Sequence, residues 1–247
     1  MLYITGDCHG NFSRFSARSF PQQKLLSHRD YVCILGDFGG VWDGSRQEES
    51  QLRWLSEKAP TFLFIDGNHE NFDLLQRYPE RPWNGGTVRQ IAPNILHLCR
   101  GHVFRISGRR VFVMGGAESH DAELILRKDN PPTPNMRRCL TRQGARFRVE
   151  GENWWPEELP SPAEYCRGLE ALERERWAVD LVLTHCAPDA IQQRIAPEYP
   201  QNELPAYLRA VQERLVYRRW YCGHYHKEFA MADERFRGLY QEIVPAE

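Results

Sequence analysis

Five times along this chain a short, apolar, β-prone run gives way at once to Asp, His or Asn, usually beside a glycine. Leu2 to Thr5 runs into Gly6-Asp7-Cys8-His9, Tyr31 to Leu35 into Gly36-Asp37, and Thr61 to Ile65 into Asp66-Gly67-Asn68-His69-Glu70. Later, Asp180 to Thr184 ends at His185, and Arg219 to Cys222 at Gly223-His224-Tyr225-His226. Runs of this length and composition suit buried strands. Between them lie segments of helical character, Gln47 to Lys58, Glu203 to Leu215, and one that opens at Ser161-Pro162-Ala163-Glu164. There Ser161 can cap, Pro162 suits the first turn, and Glu164 can close a capping box.

Strands alternating with helices give an α/β domain. In open α/β sheets, sites form beyond the carboxyl ends of the strands, so polar loops distant in sequence would converge there. Further β-prone runs at Val103 to Ile106, Val111 to Met114, Glu228 to Ala232 and Phe236 to Tyr240 are spaced like hairpins. We therefore expect a layered α-β-β-α sandwich with two mixed sheets and helices outside. It would form a single domain over residues 1–247, with a basic insertion or lid at about 117–160.

Composition narrows the classes. With 247 residues, 41% apolar and 26% charged, the chain can bury a sizeable core and is not of the disordered kind. No apolar run approaches the ~20 residues a membrane span needs. The start lacks a basic region followed by an apolar stretch, which leads to the expectation of a cytoplasmic protein. A net charge of −1 gives no global pull toward nucleic acid or membrane, so charge recognition must be local. The seven Cys are scattered without paired zinc spacing and are expected to be mostly reduced and inert.

The ordered blocks Asp7-Cys8-His9, Gly36-Asp37, Gly67-Asn68-His69-Glu70, His185 and Gly223-His224-Tyr225-His226 resemble the signature of calcineurin-like metallophosphoesterases, the small bacterial-type members among them. Any one block occurs often by chance. Five in the right order, each after a strand, make a specific signal. The resemblance implies a phosphoester hydrolase acting on mono- or diesters through in-line attack by a hydroxide that bridges two metal ions. It further implies that Asp7, His9 and His226 hold one ion, that Asn68, His185 and His224 hold the other, and that Asp37 bridges them. His69 would stabilise the phosphoryl group or protonate the leaving oxygen. Asp43, Glu70 and Asp66 are candidates to orient it, with Asp43 carried beside His69 as a catalytic residue.

The chemistry of these residues agrees. Two divalent ions and two Asp carboxylates leave a positive site suited to a phosphate ester. Imidazole, carboxylate and amide donors without thiolate favour Mn²⁺, with Fe or Zn²⁺ as alternatives. Two ions ~3.5–4 Å apart acidify a shared water and stabilise both attacking and leaving oxygens.

Cys8 and Cys186 adjoin proposed ligands, but strand alternation turns them away, so they read as packing residues. His97 and His102 have no ligand spacing and read as ordinary core or surface histidines. The glycines of Gly36 to Asp43 suggest backbone passing close to the metals. The segment from Arg127 to Arg148 carries Arg127, Lys128, Arg137, Arg138, Arg142, Arg146 and Arg148 against the single acid Asp129, and Trp154 and Trp155 follow it. Pro131, Pro132 and Pro134 oppose regular structure there.

One reading of that segment is a lid in which Arg127, Arg137, Arg138 and Trp155 grip phosphate or a nucleotide base. The plainer reading, a solvated loop with the tryptophans packed on the core, is preferred. Bacterial-type relatives share a run like Trp154-Trp155-Pro156-Glu157-Glu158, although the basic stretch is longer here. Protein Ser/Thr phosphatases of the superfamily carry an Arg directly before Gly-Asn-His-Glu and another soon after Gly-Asp. Asp66 and the Gly39-Gly40 stretch stand there instead, which points to a broad or nucleotide-directed esterase. The alternatives are a nucleic-acid phosphodiesterase guided by residues 127–148 and a non-catalytic metal-binding scaffold.

Overall fold

A computed structural model describes residues 1–233 and 235–247 of the chain. The three N-terminal runs form β1 (Leu2–Thr5), β2 (Tyr31–Leu35) and β3 (Thr61–Ile65), parallel neighbours at the centre of the first sheet. The sheet continues through β4 (Glu80–Trp83), β5 (Gly86–Ala92) and β6 (Ile95–Leu98), with β6 parallel to β3 and the others antiparallel. A hairpin of β7 (His102–Ile106) and β8 (Arg109–Met114) opens the second sheet.

Next comes a separate parallel pair, β9 (Leu124–Leu126) and β10 (Phe147–Val149). The second sheet then resumes with β11 (Leu181–Thr184) and β12 (Arg219–Cys222), parallel to β8, and ends on β13 (Phe229–Met231) and β14 (Phe236–Gly238). Finally β15 (Ile243–Pro245) returns to the first sheet, antiparallel to β1. The orders are β15-β1-β2-β3-β6-β5-β4 and β13-β14-β12-β11-β8-β7.

Strand periodicity sorts the apolar side chains into layers. Leu2, Ile4, Cys33, Leu35, Leu63 and Ile65 of the first sheet meet Val111, Val113, Leu181, Leu183 and Tyr221 of the second in one buried cluster. The alternate residues Val32, Ile34, Phe62 and Phe64 face outward, where helix α1 (Arg46–Ser56) covers them with Leu55, beside Phe12, Phe15 and Phe20. After β3 comes the single turn α2 (Phe72–Leu75), and between β9 and β10 lies α3 (Pro134–Arg142).

On the outer face of the second sheet, Phe112, Met114, Val182, Trp220 and Cys222 pack against three helices. These are α4 (Pro162–Arg174), α5 (Asp189–Ile195) and α6 (Glu203–Arg214). The result is the expected α-β-β-α sandwich. Among the described residues, no helix is long and apolar enough to cross a membrane.

Local signals explain the helix starts. Ser45 caps α1, and Ser161 with Glu164 forms the anticipated capping box of α4 with Pro162 in its first turn. Residues 127–148 are more regular than their prolines suggest. Thr133 caps α3 and Pro134 sits in the first turn, a position where a missing N–H costs nothing. The C-terminal hairpin is shorter than expected, pairing only Phe229–Met231 with Phe236–Gly238.

Candidate metal centre

The loops after β1, β2, β3, β11 and β12 converge, and backbone hydrogen bonds interlock the first two. Cys8 and His9 donate to Asp37 O at 3.0 and 2.7 Å, and Gly10 donates to Phe38 O at 2.9 Å. The approach leaves no room for a side chain at Gly39, where a Cβ would fall 2.5 Å from the Gly10 nitrogen. His9, Asp37, His224 and His226 all adopt left-handed backbone, with φ of 47°, 46°, 69° and 50°. Such conformations are uncommon for non-glycine residues and gather at functional sites.

Two donor sets result, and Asp37 belongs to both. Its Oδ2 lies 3.7 Å from His9 Nε2, and its Oδ1 lies 3.5 Å from His185 Nε2. In the first set, donor atoms of Asp7, His9, Asp37 and His226 all fall within 4.8 Å of one another. Asp7 Oδ2 is buried without a hydrogen-bond partner, 3.1 Å from His226 Nε2. In the second, Asn68 Oδ1 lies 3.2 Å from His185 Nε2, and the His224 ring stands 4.9 Å from the His185 ring.

Proton positions show what these sets fit. His185 Nδ1 lies 2.6 Å from Leu35 O, a group that can only accept, so Nδ1 carries a proton and the neutral ring presents its lone pair at Nε2. Asn68 Nδ2 donates to Ser119 Oγ at 3.2 Å, which turns Oδ1 toward that lone pair. A cation between that lone pair and Asn68 Oδ1 would satisfy both. Burial also holds His224 well below the usual imidazole range, against the pull of Asp7, and keeps it neutral as a ligand must be. Burial raises Asp37, and the neighbouring Asp7 charge adds to the rise. A metal there would reverse that cost.

The remaining expected residues are placed as follows. His69 lies with its ring 5.5 Å from that of His9, and its N–H donates to Asp37 Oδ1 at 2.8 Å. It lines a cleft of about 380 Å³ together with His9, Trp42 and Asp43. The Asp43 carboxylate accepts from Ser45 N at 2.8 Å. Glu70 accepts from Phe38 N at 2.8 Å and braces the Asp37 loop. Asp66 is buried with His97 and Arg100. None of the three carboxylates is bonded to the His69 ring.

Trp155 is buried, its ring 5.7 Å from Trp42. Arg127 lies over Trp154 at 4.4 Å, Arg137 pairs with Glu152 at 2.6 Å, and Arg138 bonds Asn135 at 2.5 Å. Apart from the contact of Trp155 with Trp42, these contacts engage residues of the same segment rather than the candidate metal donors. Cys8 and Cys186 are buried, and burial pushes both thiols up to about 12, in keeping with packing roles. His102 is partly buried at the start of β7.

Sequence reasoning missed the strap at 118–121. Ser119 Oγ takes the Asn68 amide and donates to Glu158 Oε1 at 2.8 Å. His120 stacks on Tyr199 at 3.7 Å and stands 5.6 Å from His224. Asp121 holds Arg148, which reaches His69. The glycine pair Gly115-Gly116 at the end of β8 was the available signal, since it marks a sharp chain departure beside Asp66.

No protein-family model matches the chain. Over 136 residues it is 28% identical to lariat debranching enzyme A of Xenopus laevis, a match covering 49% of this chain and 24% of that protein. It is likewise 28% identical over 134 residues to the human lariat debranching enzyme, covering 48% of this chain and 23% of the relative. The match thus spans about a quarter of the length of these relatives. A phosphopantetheinyl hydrolase from Mycobacterium tuberculosis aligns over 97% of this chain and 87% of that chain at 11% identity, with a TM-score of 0.37.

Proposed function

Taking the chain as the calcineurin-like metallophosphoesterase that its ordered signature and its debranching-enzyme relatives indicate, we propose that it hydrolyses phosphate mono- or diesters with two divalent ions. The observation that carries this reading is the Asp37 carboxylate, one oxygen toward His9 and the other toward His185. Asp7, His9 and His226 would hold one ion and Asn68, His185 and His224 the other, with Asp37 common to both. Their hard oxygen and imidazole donors suit Mn²⁺, Fe or Zn²⁺. Bound there, the ions supply an acidified water and a positive field for the phosphoryl oxygens.

The protein's own groups do the rest. His185 is fixed in its Nε2-ligand tautomer by Leu35 O. His69, tethered through its backbone to Asp37, presents its ring at the cleft, where it can hold a proton for the leaving oxygen. Ester groups attached to the phosphorus would occupy the cleft walled by Trp42 and Asp43. Most basic side chains of the insertion are paired with acids, including Arg146 with Glu123 at 3.0 Å and Lys128 with Asp73 at 3.2 Å. That pairing supports a small ester over a nucleic-acid strand as the substrate.

The test is hydrolysis of p-nitrophenyl phosphate and bis-p-nitrophenyl phosphate by protein reconstituted with Mn²⁺, Fe²⁺ or Zn²⁺. We expect metal-dependent turnover, abolished in Asp37→Asn together with loss of at least one ion. Full rate and full metal content in Asp37→Asn would sink the reading.

A further inference from the structure

Arg148 behaves unlike the other basic residues of the insertion. It lies in β10, and its side chain is only 10% exposed, whereas those of Arg127 and Arg146 are 53% and 63% exposed. Asp121 clamps it as a fork, with Nε to Oδ1 at 2.9 Å and Nη2 to Oδ2 at 2.7 Å, and Nη1 donates to Asn153 O at 2.7 Å. A guanidinium has five N–H donors. Asp121 takes two and Asn153 one, which leaves two.

One of them is on Nη1 and the other on Nη2, and the one on Nη2 has no ordinary partner. Nη2 stands 3.4 Å from both Nδ1 and Nε2 of His69. Equal distance to both ring nitrogens puts it off either in-plane lone pair, too far and too oblique for a good hydrogen bond. A rigid, nearly buried cation thus sets its spare Nη2 donor against the ring of His69, which itself lines the cleft.

We propose that Arg148, clamped by Asp121, binds the non-bridging oxygens of the scissile phosphoryl group beside His69. The assignment rests on the phosphoesterase reading and deepens it. Planar guanidinium donors match phosphoryl oxygens in geometry and charge, and a guanidinium already clamped in place loses little freedom on binding. The insertion is then a part of the site that delivers a phosphate ligand from outside the metal-binding loops. A phosphoryl group with more unesterified oxygens gains more from it, so the monoester benefits over the diester.

The test is calorimetric titration of inorganic phosphate into Mn²⁺-loaded protein, alongside metal content and kinetics on the two nitrophenyl esters. Arg148→Met is expected to keep its metal and weaken phosphate binding ~10–100-fold, with a larger loss of kcat/KM on the monoester. Arg148→Lys should recover part of the affinity, and Asp121→Asn should lose a smaller part by loosening the clamp. If Arg148→Met does not fold, the Lys and Asn variants carry the comparison.

Unchanged phosphate affinity in these folded variants overturns the assignment, as does a loss explained by departed metal. Wild-type protein that binds phosphate through Arg148 yet cleaves no ester refutes the hydrolase reading and leaves the anion site standing.

Discussion

The Asn68 amide donates from Nδ2 to the Ser119 hydroxyl, which in turn donates to the buried carboxyl of Glu158. This relay decides which Asn68 atom faces His185. Partners of this kind orient metal ligands, and their loss typically costs ~10–100-fold in affinity. We predict that Ser119→Ala weakens one of two ions by that factor and leaves the ion at Asp7, His9 and His226 in place. Stepwise metal titration distinguishes the two. Equal weakening of both ions, or of neither, would contradict the relay.

Glu158 itself gives a pH signature. Burial pushes it up to about 8 from an ordinary 4.5, outweighing the Ser119 donors that favour the charge. A carboxyl raised by folding adds stability that is fully present below its unfolded value and is lost as pH climbs to its folded value. Metal-free protein should therefore lose stability between about 4.5 and about 8 from this group. Glu158→Gln should flatten that decline, which denaturant midpoints at several pH values would register. An unchanged slope would place the pH dependence elsewhere.

Gly67 offers a way to disturb the centre without removing a ligand. A Cβ there would fall 2.1 Å from Asp37 Oδ1 and 2.7 Å from His185 Nε2. Gly67→Ala should displace both groups, lower metal content and reduce turnover by ~10² or more, as misplacements of about 1 Å can. Elemental analysis and kinetics provide the check. A variant with two ions and a normal rate would show that the loops yield easily.

Behind the centre, Asp66 is held well below the usual carboxylate range: burial raises it, but Arg100 and His97 prevail. Removing one partner of a buried pair strands the other charge, at a cost of ~3–5 kcal/mol. Arg100→Met should show a loss of that size in chemical denaturation. Adding Asp66→Asn should restore part of it. Additive losses in the double variant would deny the coupling.

The sequence made the sandwich legible because each inner strand exposes its period to both cores, as Leu63 and Phe64 do on opposite faces of β3. The donor blocks were legible because each follows its strand directly. Asp121 and Arg148 were not, since they meet across 27 residues through the pairing of β9 with β10, and three-residue strands leave almost no periodic trace. Helix α3 was hidden by counting prolines as breakers when Pro134 stands where a helix welcomes one.

His9 and His226 meet at 3.0 Å although 217 residues separate them, one beyond each sheet. An ion shared by such residues is a removable cross-link that closes nearly the whole chain into a ring. Closure of that kind restricts the unfolded chain, and its contribution follows free-ion concentration by mass action. The melting temperature would then rise and fall with the metal supply around the protein, so that coordination across the sandwich ties its lifetime to its surroundings.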